Sequence, residues 1–251
     1  MPNREPDEWP VEQRSRFYTW VATLALLIVF AGFARSYYLD GFFYNEPIPV
    51  LLHIHGFILS LWFVLFLVQV RLVAAGRVNW HRRLGISGAV VGGLVVLMGG
   101  IVGFIASRRE FLTHPAGTRD LVGFKVPAIE GFAILCGFLM NFALFVALAI
   151  YFRRQPEIHK RFMLLATCSI LGPALMRIFL PYIDSMGLWS KFALYDVVAF
   201  VIIALDATRR RKLHPAFAWG GLFLLMSFPA LAALARSEAG IRCMTWLLTR
   251  S

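Results

Sequence analysis

Residues 50–85 read VLLHIHGFILSLWFVLFLVQVRLVAAGRVNWHRRLG. An apolar run of about 20 residues, the length that crosses ~30 Å of hydrocarbon, ends in a basic turn and restarts at His81-Arg82-Arg83-Leu84. The same grammar recurs downstream. Glu130-Gly131-Phe132 stands where His55-Gly56-Phe57 stood, and His159-Lys160-Arg161-Phe162 restarts the chain after the second turn. A repeated helical hairpin in a membrane is the reading from which the rest follows.

Composition agrees. The 251 residues are 59% hydrophobic and 16% charged, with a mean hydropathy of +0.69, more apolar surface than a soluble domain of this length can hide. Apolar blocks near 17–36, 48–70, 84–106, 126–151, 162–181, 190–207 and 214–235 predict an all-α, polytopic bundle of seven transmembrane helices, one leading helix and three hairpins. Residues 1–16 then form an N-terminal arm anchored by Trp9, 17–235 the transmembrane domain, and 236–251 a short interfacial tail. The first run is too long for a signal-sequence core and no small-residue cleavage site follows it, so a retained helix is expected.

The net charge of +11 invites a nucleic-acid reading, but the cations sit in short turns between spans. Alternate loops carry 15 Lys and Arg on one side against 9 on the other, with Arg177 left inside a span. The positive-inside rule places the N-terminus in the cytoplasm of a bacterial inner membrane. The expected partners are the lipid bilayer and other membrane proteins, with no nucleic acid. Cys136, Cys168 and Cys243 offer neither a disulfide framework nor zinc spacing, and Cys136 and Cys168, within spans, read as small packers.

Each ingoing helix carries one ionisable residue in its first turns: His55, Glu130 and Asp196, roughly 10, 6 and 9 Å below the outer surface. Such groups in hydrocarbon turn inward and pair. His55, Trp62 and Gln69 recur every seven residues and share a face, as do Glu130 and Asn141, eleven apart. With Arg177 these form either a structural knot or an outer-leaflet site for a metal, a proton or a polar headgroup. As a metal site it rests on His55, Glu130 and Asp196, with His53 a further candidate although it points about 200° away from His55. An imidazole with two carboxylates suits Zn, Mn or non-haem Fe.

A second candidate lies at the basic end. His81 and His159 share one depth, as two haem ligands must, although interfacial histidines beside arginines also serve as headgroup contacts. His214 opens the third, degenerate copy. Gly85, Gly88, Gly92, Gly99 and Gly103 make one stripe, read as close helix packing in preference to clearance for a flat cofactor.

Several activities are excluded. Lys125, Lys160, Lys191 and Lys212 all lie in loops or at span ends, so none can hold retinal in mid-membrane. No Gly-x-Ser-x-Gly, His-Glu-x-x-His or phosphate-cradling loop occurs. His53-Ile54-His55-Gly56, Gly76-Arg77, His81-Arg82-Arg83-Leu84-Gly85 and His159-Lys160-Arg161-Phe162-Met163 make the chain resemble a group of multi-span bacterial membrane proteins over roughly residues 48–180. That resemblance implies an integral membrane protein and no assigned activity.

Overall fold

Backbone N–H and C=O groups cannot be left unpaired in hydrocarbon, so each apolar run closes its hydrogen bonds within itself as a helix. In a computed structural model, residues 11–44, 47–113, 118–121, 124–183 and 188–249 are described. They form α1 (Val11–Phe33), continued by a π-helical turn Ala34–Tyr38, α2 (Asp40–Phe43), α3 (Val50–Ala74), α4 (Val78–Thr113), α5 (Ala128–Tyr151), α6 (Pro156–Ser169), α7 (Gly172–Ile183), α8 (Leu188–Arg210), α9 (Pro215–Arg236) and α10 (Glu238–Thr249). The arm expected over residues 1–16, with Trp9, lies outside the described residues up to the start of α1.

Five of these helices, α1 with its extension, α3, α4, α5 and α9, are long and apolar enough to cross a membrane. The pair α6–α7, bent by 43°, makes a sixth if counted as one span. The bend has a local cause. Pro173 has no N–H to offer the Ser169 carbonyl and its ring crowds that group, and α6 ends at Ser169. The run expected over 190–207 forms α8, which is not counted with the apolar spans among the described residues. The fold is thus a multi-span helical bundle.

One addition departs from the all-helical expectation. In the loop after α4, β1 (Thr118–Leu121) and β2 (Phe124–Pro127) pair antiparallel, Thr118 opposite Pro127 and Leu121 opposite Phe124. The tail also does more than rest at the interface. Helix α10 packs on α9, α4 and α5, its Leu248 is fully buried, and Arg108 Nε donates to the Leu248 carbonyl at 3.2 Å.

The hairpins α3–α4, α5–α6 and α8–α9 each pack on themselves, with α5 also against α4 and α9, and α1 against α3 and α7. The core is aromatic and aliphatic, with Phe63, Phe142, Phe145, Leu164 and Phe217 at its centre. Large apolar side chains such as Ile86, Val90, Leu222 and Met226 face outward, as they do where the solvent is lipid.

The glycine stripe packs. A Cβ on Gly92 would meet Trp62 at 3.2 Å and one on Gly99 would meet Leu139 at 2.6 Å, while Gly88 and Gly103 face Leu65 and Leu135. The tightest backbone approach on α1 lies elsewhere: a Cβ on Gly32 would fall 2.5 Å from the backbone oxygen of Ala174 on α7. That oxygen cannot swing aside as a side chain can. Gly32→Ala is therefore expected to destabilise the bundle by about 1–3 kcal/mol, the range for overpacking a close contact, whereas Gly100→Ala, with open space around its Cβ, leaves it unchanged. Thermal unfolding in a mild detergent compares the two, and equal melting temperatures would remove the α1–α7 contact as a determinant.

Candidate functional site

The two hairpins place equivalent histidines at equivalent points. His81 is the fourth residue of α4 and His159 the fourth of α6, and each donates its backbone N–H to the residue four before it, Arg77 at 3.1 Å and Gln155 at 2.9 Å. Their rings come together at the basic end, with centroids 6.2 Å apart and planes at 78°. Both are half-buried.

Each ring is held from behind. His159 Nδ1 donates to the Ala149 carbonyl at 2.8 Å. A carbonyl only accepts, so the proton sits on Nδ1 and Nε2 carries the free lone pair. Gln69 on α3 secures His81. With its amide nitrogen toward the ring it donates to Nδ1 at 2.7 Å and to the His81 carbonyl at 3.2 Å, while its oxygen accepts from Gly85 N–H at 3.0 Å. The third histidine behaves differently. His214 caps α9, its Nδ1 accepting from the Ala216 N–H at 3.1 Å.

Beside the histidine pair lies a cluster that the charge count concealed. Arg161, two residues beyond His159, has no exposed surface. Its Nη2 reaches Asp206 at 3.0 and 3.2 Å, and its Nη1 reaches the Glu157 carboxylate at 2.9 Å and the Glu157 carbonyl at 2.6 Å. The guanidinium lies over the Phe217 ring at 5.4 Å. Arg210 Nη2 and Lys160 Nζ complete the shell around Glu157 at 2.8 and 2.5 Å. The network binds α6 to α8 and rests on α9. Sequence reading counted Arg161 as a loop charge; the available sign was Glu157 one turn earlier at i−4.

The outer group divides: His55 and Arg177 stay within electrostatic reach of each other, while Glu130 and Asn141 turn to α9. Glu130 forms a bidentate pair with Arg236 of α9 at 2.9 and 3.0 Å. Asn141, on the same face of α5 as expected, donates to Ser227 of α9 at 2.9 Å. His55 faces α4, where its ring interacts with the Met98 backbone and its Nδ1 stays without a hydrogen-bond partner. Arg177 lies over Phe33 at 4.4 Å and donates to the Pro173 carbonyl. Asp196 is buried on α8, close enough to Cys168 to interact with it. His53 is exposed, its carbonyl accepting from the Tyr37 hydroxyl at 3.0 Å. Among the described residues no three His, Cys, Asp or Glu side chains could hold one metal ion. The seven-residue spacing of His55, Trp62 and Gln69 does mark a shared face, and that face is the α3–α4 seam. No protein family, curated protein or solved structure matches the chain.

Two outcomes test this end of the bundle. Arg161→Met leaves the buried Asp206 carboxylate with the longer Arg210 Nε contact at 3.4 Å and is expected to cost about 3 kcal/mol. Arg161→Met with Asp206→Leu should recover most of that loss, read as detergent melting temperature, and a double variant no better than the single one would deny the pair its role. For His214, burial first and then the Arg161 and Arg210 charges, against weaker opposition from Glu157 and Asp206, push the imidazole pKa below its ordinary value. Neutral His214 is thus favoured by folding, so its cap is intact above about pH 6.5 and is lost as pH falls through the lower folded value. An NMR titration of His214 with a midpoint at or above that of a free imidazole contradicts this.

Proposed function

We propose that the chain is a seven-span bacterial inner-membrane protein, N-terminus in the cytoplasm, that holds a haem-type redox cofactor between His81 and His159. The observation that carries this is the pair itself: two imidazoles from separate helices at one depth, 6.2 Å apart between centroids. His159 Nδ1 donates to the Ala149 carbonyl, which leaves the Nε2 lone pair for a ligand, the way a metal-binding histidine is oriented through its other nitrogen. His81 Nδ1 accepts from Gln69.

Only two protein ligands meet here. A cofactor that brings its own remaining donors would suit such a pair, held by His81 and His159, better than a bare ion. When bound, that group would supply one-electron chemistry. The residues of the chain set its position: Ala149 fixes the His159 tautomer, and Gln69 governs His81. With the Gln69 nitrogen toward the ring, His81 keeps its proton on Nε2; turning the amide so that its oxygen accepts from Nδ1–H frees Nε2 as a ligand.

A specific observation favours a second reading. The Arg161, Asp206 and Glu157 network is internally satisfied with no cofactor, as in a transport or assembly subunit whose buried charges are structural or proton-carrying.

Purification in mild detergent followed by a visible spectrum separates the two. The cofactor reading expects a Soret band that is lost in His81→Ala and in His159→Ala, and shifted in Gln69→Leu, while Arg161→Lys retains it. A colourless preparation from cells supplied with haem precursor would end the cofactor reading and leave the second.

A further inference from the structure

Where α1 and α3 run past each other at the basic end they leave a groove of about 1070 Å³. Along α1 it extends from Arg16 to Thr23, and along α3 from Leu67 to Ala75, roughly 10–12 Å of helix on each side. Its walls are apolar. Val68 and Leu72 line one side and Trp20, 72% exposed, lies on the other. Three guanidiniums stand at its polar end: Arg16 on α1, Arg71 in the last turn of α3, and Arg77 in the turn that follows. All three are exposed.

We propose that this groove binds one anionic glycerophospholipid of the leaflet at the basic end, with the phosphate among Arg16, Arg71 and Arg77 and an acyl chain along Val68 and Leu72. Charge complementarity selects that occupant. Guanidiniums match phosphate oxygens with paired donors, whereas the apolar face of a second copy's helix would bring no counter-charge to Arg71 and Arg77. A free phosphate would leave the apolar wall unfilled. A zwitterionic headgroup brings its own cation to the same place. Trp20, Thr19 and Thr23 lie at the depth where an amphipathic side chain meets the glycerol region.

The test uses the full-length protein in nanodiscs of phosphatidylglycerol and phosphatidylcholine in equal parts with matched acyl chains, and counts retained lipid by native mass spectrometry. The wild type is expected to retain phosphatidylglycerol preferentially. Arg71→Gln with Arg77→Gln should lower that preference roughly thirtyfold, from the contribution of two interfacial cations. Arg82→Gln with Arg83→Gln removes the same charge from exposed positions outside the groove and should leave the preference intact. Leu72→Trp fills the groove with every charge in place and should also reduce retention, so the reading does not rest on one variant folding well. Equal retention of the two lipids by the wild type overturns the proposal. So does an equal loss in the Arg82 and Arg83 control, which would mean general surface attraction, or full retention in Leu72→Trp. Disulfide-linked dimers of Leu72→Cys at the expense of bound lipid would assign the groove to a second copy of the chain, and also overturn it.

Discussion

A guanidinium with no exposed surface must have its donors committed, and Arg161 is the constraint around which the basic end is organised. Its charge is matched by Asp206 from α8 and Glu157 from its own helix, with Phe217 of α9 beneath it. Desolvating such a pair is costly, and the Coulombic gain repays that only when geometry and secondary hydrogen bonds are complete. Here Arg210 and Lys160 supply the completion. Helix α8 depends on this most, because it is the least apolar of the long helices beyond the loop of β1 and β2, and without Arg161 the buried Asp206 would keep the longer Arg210 Nε contact at 3.4 Å.

Elsewhere the described helices also rely on proximity. Lipid is as apolar as leucine, so helices gain little from burying apolar surface against each other and associate through close packing and a few polar contacts. Gly32 against Ala174, Gly92 against Trp62 and Gly99 against Leu139 are contacts of the first kind. Asn141 with Ser227 and Glu130 with Arg236 are of the second, and both lie along the α5–α9 seam. These bonds fix the register of two helices whose surfaces alone would slide.

The parts legible in sequence are those set within one helix. Apolar run length located the helices, the heptad of His55, Trp62 and Gln69 marked a common face, and Pro173 announced a break. Which helix faces which is not encoded in spacing. The same reading that put Glu130 and Asn141 on one face could not say that α9 would meet them, and so grouped Glu130 with His55 and Arg177 in place of Arg236. Arg161 was concealed for a related reason. A basic residue beside a turn has the composition of a loop charge, and only Asp206, 45 residues away, makes it a core residue. For His81 and His159 the duplicated turn gave a common depth and the same place in their helices, and the structure adds that the two rings are neighbours.

One turn of α6 serves both features of the basic end. His159 and Arg161 are two residues apart and therefore point about 200° from each other, the imidazole toward α4 and the guanidinium toward α8. The hairpin α5–α6 is thus clamped between a contact that is rigid and one that is not. Arg161 is held by multiple charge-assisted bonds, whereas His81 meets His159 through ring proximity and the amide of Gln69. Rigidity on the α8 side fixes where the His159 ring stands, and the freedom left on the α4 side lies in His81 and Gln69. If the pair holds a cofactor as proposed, His159 would be the ligand fixed through Ala149 and His81 the one whose proton Gln69 governs.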